Sequence, residues 1–169
     1  MLRFTYLFAL VLLIGIIQTA STYKIETQYD KFNDVTKVKL NLMPVPLQSA
    51  EELWLSAQFT SKGQKVLPPE EVMLAFVWGS KDGKFSQGNE LIVLADGERV
   101  RVGKMYRDAS YSSRHKNPTK EIMALNIPVA TFLKIARAKK LEAKMSIHEF
   151  ALAEGNLSAL RELAGRMTP

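Results

Sequence analysis

The sequence predicts a mainly β fold, an antiparallel β-sandwich or flattened barrel with one inserted short helix and a C-terminal helix. Three observations predict it. Apolar and polar residues alternate with a period of two through the first two-thirds of the chain. An Asp-Gly pair, Asp96-Gly97, stands between two strand-like runs, which is the local signature of a tight hairpin. The runs follow one another too closely for βαβ crossovers, so a nucleotide-binding α/β fold is not expected.

Each element has its own warrant. Tyr23 to Tyr29 reads as a first strand, with Tyr23, Ile25, Thr27 and Tyr29 on one face, and Asp30 to Asp34 has turn chemistry at its ends. Thr36 to Leu42 alternates, with Val38, Leu40 and Leu42 facing one way and Lys37, Lys39 and Asn41 the other. Pro44 and Pro46 are expected to end that strand, because proline cannot donate to a ladder. Leu53 to Thr60 repeats the alternation, placing Trp54 on the face with Ser56 and Gln58. Val72 to Trp78 is apolar on both faces, as in a central strand covered on both sides. Leu91 to Val102 is the Asp-Gly hairpin, with Val100 and Val102 inward and Arg99 and Arg101 outward.

Residues 107–120 lose all periodicity and read as the longest loop, followed by a return strand from Glu121 to Ile127. Pro128 suits the first turn of a helix running to about Ala138, with Phe132, Ile135 and Ala136 on its buried stripe. Leu141 to Met145 alternates as a strand, and Phe150 to Leu152 pairs back with it. A closing helix from Asn156 to Met167 buries Leu157, Leu160, Leu163, Ala164 and Met167, with Asn156 as its cap.

Residues 1–20 read as a cleavable secretory signal peptide: Arg3 supplies the charge, Phe4 to Ile17 the apolar run and Ala20 the small residue before the cut. Gln18 is large for its position, so cleavage near Ser21 or Thr22 is an alternative. A permanent anchor is the other reading, but a spanning helix wants about 20 apolar residues, and this run is shorter. Residues 21–169 then form a single β-rich domain, periplasmic or secreted. The chain has no cysteine, which excludes both a lipid-modified cysteine and any disulfide, so the domain must rest on its apolar core. The formal charge of +6 fits either an anionic partner or ordinary solubility.

The chemistry-bearing residues are sparse. Two histidines and no cysteine give no metal-ligand spacing, and His148-Glu149 reads as a strand end with an exposed side chain. Ser110, Ser112 and Ser113 stand near Asp108 and His115 in sequence, without a nucleophile-elbow pattern. No phosphate-cradling glycine motif occurs. The sequence therefore points to no catalytic residue, no metal and no cofactor. What has a shape is the basic segment with interleaved tyrosines: Arg107, Tyr111, Arg114, His115, Lys116 and Lys120 are the candidate binding residues. Basic plus aromatic is the composition of a polyanion patch; a solvated loop whose tyrosines pack onto the sheet is the alternative. Trp78 continues an apolar face and reads as core, leaving Trp54 as the tryptophan expected to be exposed.

Asp96-Gly97-Glu98-Arg99, Ile127-Pro128, Thr131 to Ala136, His148-Glu149-Phe150 and Leu160 to Ala164 follow in that order. Over Val72 to the C-terminus they resemble a recurrent pattern in small exported bacterial proteins of unknown function. The layout is also loosely similar to the invasion-associated locus B family of exported β-sandwich proteins, whose cysteines this chain lacks, so that likeness implies fold alone. Neither resemblance supplies a catalytic residue. The function expected is an exported, non-enzymatic binding or interaction module of the bacterial cell envelope, its partner a protein or an anionic polymer. The alternative is a hydrolase whose site is assembled from distant residues.

Overall fold

The computed structural model describes residues 23–49, 51–80, 90–108 and 119–167. Two antiparallel sheets face each other and do not close into a barrel. The larger sheet orders β1 (Ile25–Asp30), β2 (Val35–Val45), β3 (Glu52–Lys62), β4 (Glu71–Ser80), β8 (Thr119–Pro128) and β7 (Tyr106–Asp108). The smaller sheet orders β10 (His148–Ala151), β9 (Leu141–Met145), β5 (Glu90–Ala95) and β6 (Glu98–Lys104). Helix α1 (Val129–Arg137) follows β8, and α2 (Glu154–Gly165) closes the described chain.

The alternation seen in the sequence becomes the layer between the sheets. Val38 and Leu40 of β2, Leu53 to Phe59 of β3, and Val72 to Trp78 of β4 bury their inward side chains. Leu91 and Val93 of β5, Val100 and Val102 of β6, and Ala143 and Met145 of β9 meet them from the other sheet. Phe76 and Phe150 touch across the gap with ring centroids 5.9 Å apart. Helix α1 adds Phe132, Ile135 and Ala136 to the same core, as its sequence stripe predicts. Among the described residues no helix is long and apolar enough to cross a membrane.

The Asp-Gly hairpin forms as expected. Asp96 and Gly97 both take positive φ, 52° and 83°, the pair that a two-residue primed turn requires. The Asp96 carboxylate also accepts the backbone N–H groups of Lys139 and Lys140, each at 2.9 Å. The turn is thereby tied to the connection between α1 and β9. At the far end of β6, Gly103 adopts φ of 107°, and the chain crosses from the smaller sheet to β7 of the larger one through buried Met105.

Several expectations need correction. The strand at Thr36 does not stop at Pro44: β2 runs to Val45, and Pro44 pairs with Trp54. Carbonyl and amide of one strand residue point the same way. The Pro44 carbonyl accepts from Asn156 Nδ2 at 2.9 Å, so its ring nitrogen also faces away from β3 and costs no ladder bond. A bulge between Leu40 and Met43 adds a residue to β2 and reverses the alternation. Leu42 therefore points out, 51% exposed, and Met43 takes the buried place.

β4 is central, between β3 and β8, but it is not covered on both sides. Its outward Met73 and Ala75 are half-buried, and on that face only the end of the strand, Val77 and Gly79, is buried. The sequence makes residues 107–120 one loop, whereas Arg107 lies in β7 and Lys120 in β8. β1 is an edge strand whose residues from Glu26 onward are all exposed. Helix α2 begins at Glu154, so Asn156 stands inside its first turn and not at the cap position. From there its Oδ1 accepts the Ala153 N–H at 3.1 Å while its Nδ2 binds β2. His148-Glu149 starts β10 with one exposed side chain, Glu149, while His148 is half-buried against Trp78.

The inter-sheet contact makes a prediction for equilibrium urea unfolding. Phe76→Ala is expected to destabilise by about 3–5 kcal/mol through lost burial plus cavity. In a double-mutant cycle with Phe150→Ala, the coupling should be about 0.5–1.5 kcal/mol. Strict additivity of the two losses would mean that the rings do not meet.

Candidate functional site

Of the six residues that the sequence singles out, Tyr111, Arg114, His115 and Lys116 lie outside the described residues. Arg107 and Lys120 are on neighbouring strands of the larger sheet, Arg107 opposite Met123 in β7 and Lys120 opposite Gly79 in β8. Both ends of the basic segment are therefore rooted on one sheet, next to each other. β7 runs toward the end of the sandwich from which β8 starts.

The outer face of that sheet carries a built arrangement around Lys120. Register places Glu52, Gly79 and Lys120 in one row across β3, β4 and β8. In the next row Trp54, Val77, Ile122 and Asp108 follow one another. The Trp54 side chain leans from its own row over Gly79. A Cβ at that glycine would stand 3.4 Å from Trp54 Cζ3 and 3.5 Å from Glu52 Oε2. The glycine thus leaves a floor on which the indole lies across β4. On the far side Lys120 Nζ sits 5.1 Å from the indole centroid, within cation–π range. The result is an aromatic plate with an ammonium above it and a carboxylate beside it, half-buried on the outer face of the sheet. Trp54, expected to be the exposed tryptophan, is half-buried there, and Trp78 is core at 1% exposure.

Sequence reasoning names Lys120 and Trp54 separately and misses their contact. The signal lay in Gly79, which ends an otherwise apolar strand and reads as a turn residue. Only the strand register shows that it stands between Trp54 and Lys120.

Beneath the same end, on the inner side, Trp78 stacks on His148 with ring centroids 4.5 Å apart. His148 Nδ1 is 3.9 Å from Glu51 Oε2. Glu121, 3% exposed, lies opposite Trp78 on β8. This polar group joins β10 and the start of β3 to the core. Among the described residues no three His, Cys, Asp or Glu side chains come together as a metal site.

Shallow hollows indent the described surface, three of them of several hundred Å³. One of about 370 Å³ lies on the smaller sheet over Ile92 and Leu94. One of about 510 Å³ lies between α1 and the Asp-Gly hairpin, beside the Lys134–Glu98 ion pair of 2.7 Å. One of about 420 Å³ lies on the β1–β2 hairpin. None of the three is lined by Glu51, Glu121 or His148.

The shifts in proton affinity fall on exposed groups. The Asp30 carboxyl is held below its ordinary value of 3.8 by hydrogen bonds from the Asn33 side chain and from the Phe32 and Asn33 amides. The Tyr29 hydroxyl is raised by its hydrogen bond to Asp34. The Asn41 amide and Lys24 lower Glu26, and Lys144 lowers Glu149.

No protein-family model matches the chain, and no significant match is found among curated proteins or solved structures.

The Asp30 contacts set a pH dependence. A carboxyl depressed in the folded state stabilises its turn above the unfolded value and loses that contribution as pH falls through the folded one. Amide shifts of Phe32 and Asn33, followed by ¹H–¹⁵N spectroscopy, should therefore titrate with a midpoint below 3.8. A midpoint at or above that value would show that the carboxylate does not cap the turn.

Proposed function

We propose that the chain is an exported, non-enzymatic binding module of the bacterial cell envelope. Its ligand on this reading is an anionic polymer of the acidic-glycan type, taken on the outer face of the larger sheet. The observation that carries it is the Trp54 indole lying on Gly79 with the Lys120 ammonium 5.1 Å from its centroid. A flat indole offers its face to the C–H side of a sugar ring, as aromatic plates do for other flat or apolar partners. Lys120 supplies the charge for a carboxylate or sulfate on that sugar. An exposed cation–π contact is worth only about 0.5–1 kcal/mol, so a ligand displaces it readily, and the ammonium moves from the ring to the anion. The net charge of +6 adds long-range attraction.

Export rests on the sequence alone: the signal-peptide pattern of residues 1–20 and the resemblance to small exported bacterial proteins support it. Sheet faces and loops on a rigid sandwich are common carriers of binding function.

Heparin, as an acidic-glycan probe, tests the reading. Parent protein should bind at low salt, and the affinity should fall as salt rises, because ionic contacts release counterions. Lys120→Glu and Trp54→Ala should each weaken binding by about fivefold or more, which is about 1 kcal/mol. Arg101→Glu, on the outer face of the smaller sheet, makes the same change in net charge as Lys120→Glu and should have a small effect. Equal losses for Lys120→Glu and Arg101→Glu would mean a diffuse charge effect and no site. Absence of binding by the parent at low salt would remove the acidic-glycan reading.

A further inference from the structure

At the opposite end of the sandwich the β1–β2 hairpin ends in the turn Asp30 to Asp34. Phe32 stands on it 88% exposed, more than any other large apolar side chain described. The turn that carries it is firmly built. Asp30 Oδ1 accepts the Phe32 N–H at 2.8 Å and the Asn33 N–H at 3.3 Å, and Asp30 Oδ2 accepts from Asn33 Nδ2 at 2.7 Å. Tyr29 donates its hydroxyl to Asp34 at 2.8 Å. The phenyl ring on this ordered turn adds no burial to the core.

Its surroundings are basic. Lys31 Nζ lies 5.1 Å from the Phe32 centroid. The hollow of about 420 Å³ on this hairpin is lined by Lys31, Lys37, Tyr29, Phe32 and Gln28, with Asp30 as its one carboxylate. The β3–β4 connection comes alongside, since Gly63 N–H donates to the Asp34 carbonyl at 2.8 Å and Thr36 Oγ1 to the Gly63 carbonyl at 2.6 Å. That connection brings exposed Leu67 together with Lys62 and Lys65. The acidic groups at the tip, Asp30 and Asp34, are both engaged within the turn.

We propose that this tip docks on an anionic lipid bilayer. Phe32 enters the interface, where an aromatic ring is buried among headgroups and upper acyl chains. Lys31 and Lys37 meet phosphate at the mouth of the hollow, and Lys62 and Lys65 strengthen attraction to the negative surface. The lysine stems lie along the apolar surface while their ammonium groups stay at headgroup level. Because the turn is already ordered, little conformational entropy is lost on docking. The tip is remote from Trp54 and Lys120, so the proposal stands independently of acidic-glycan binding.

Flotation with equimolar phosphatidylglycerol and phosphatidylcholine vesicles tests it, with pure phosphatidylcholine vesicles as the neutral arm. Parent protein should float with the anionic vesicles and stay behind with the neutral ones. Phe32→Ala and the double variant Lys31→Glu, Lys37→Glu should each reduce partitioning by about tenfold. Their urea midpoints should stay at the parent value, since these residues are exposed. Phe32→Trp should retain binding, and brominated lipid should quench its added fluorescence, which reports insertion directly. Lys120→Glu should float like the parent, so failure of the glycan reading leaves this result untouched. Failure of the parent to float overturns the proposal, as does flotation unaffected by Phe32→Ala. Self-association of the parent abolished by Phe32→Ala would also overturn it, with a second copy of the chain as the occupant.

Discussion

The contact between β4 and β10 is the constraint on which the rest depends. Phe76 meets Phe150, and two residues further along the same strand Trp78 meets His148. The chain has no cysteine, so no disulfide ties one sheet to the other. Apolar burial between them must offset the conformational entropy of ordering both. β4 is suited to this position because it pairs along its length with β3 and β8. A strand fixed on both sides aims its inward rings reproducibly. Asn156 completes the enclosure from the open edge, since one amide caps α2 and binds the β2 carbonyl at Pro44.

The outer surfaces inherit their order from that core. Trp54 is placed by β3, which is placed by β4, and Gly79 is part of β4 itself. A plate that spans three strands keeps its shape only while their register holds. The hairpin tip is different. It extends beyond the core on the exposed edge strand β1 and relies on its own carboxylate-capped turn. The two surfaces lie at opposite ends of the larger sheet, so contact at one leaves the other accessible. On the two proposals above, a domain docked at its tip on a bilayer would present the Trp54 face away from it.

Much of this was legible in the sequence because it follows from local rules. The Asp96-Gly97 hairpin, the Phe132–Ile135–Ala136 stripe and the leucines of α2 each need only their own neighbours to be recognised. What escaped depends on register or on distant contacts. The bulge at Leu40/Met43 turns Leu42 outward, and no composition signal marks it. Pro44 looks like a strand end until Asn156, more than a hundred residues later, is seen to hold its carbonyl. Arg107 belongs to a strand of three residues, too short for any periodicity. Which side chain of His148-Glu149 is covered depends on Trp78, which comes from the other sheet. The candidate surface was legible in its residue types and not in its geometry. Lys120 and Trp54 are 66 positions apart, and only pairing through Gly79 brings them together. Phe32 lies within a turn, where no periodicity marks an exposed apolar residue.

If one shared layer holds both sheets, they must open together. Native-state amide hydrogen exchange under increasing denaturant measures this strand by strand. The slowest amides of β4 and β8 in the larger sheet, and of β5 and β9 in the smaller, should converge on a single opening free energy with one denaturant dependence. That free energy should equal the one for global unfolding. A smaller sheet whose amides exchange through a separate, lower-energy opening while β4 stays protected would contradict the account.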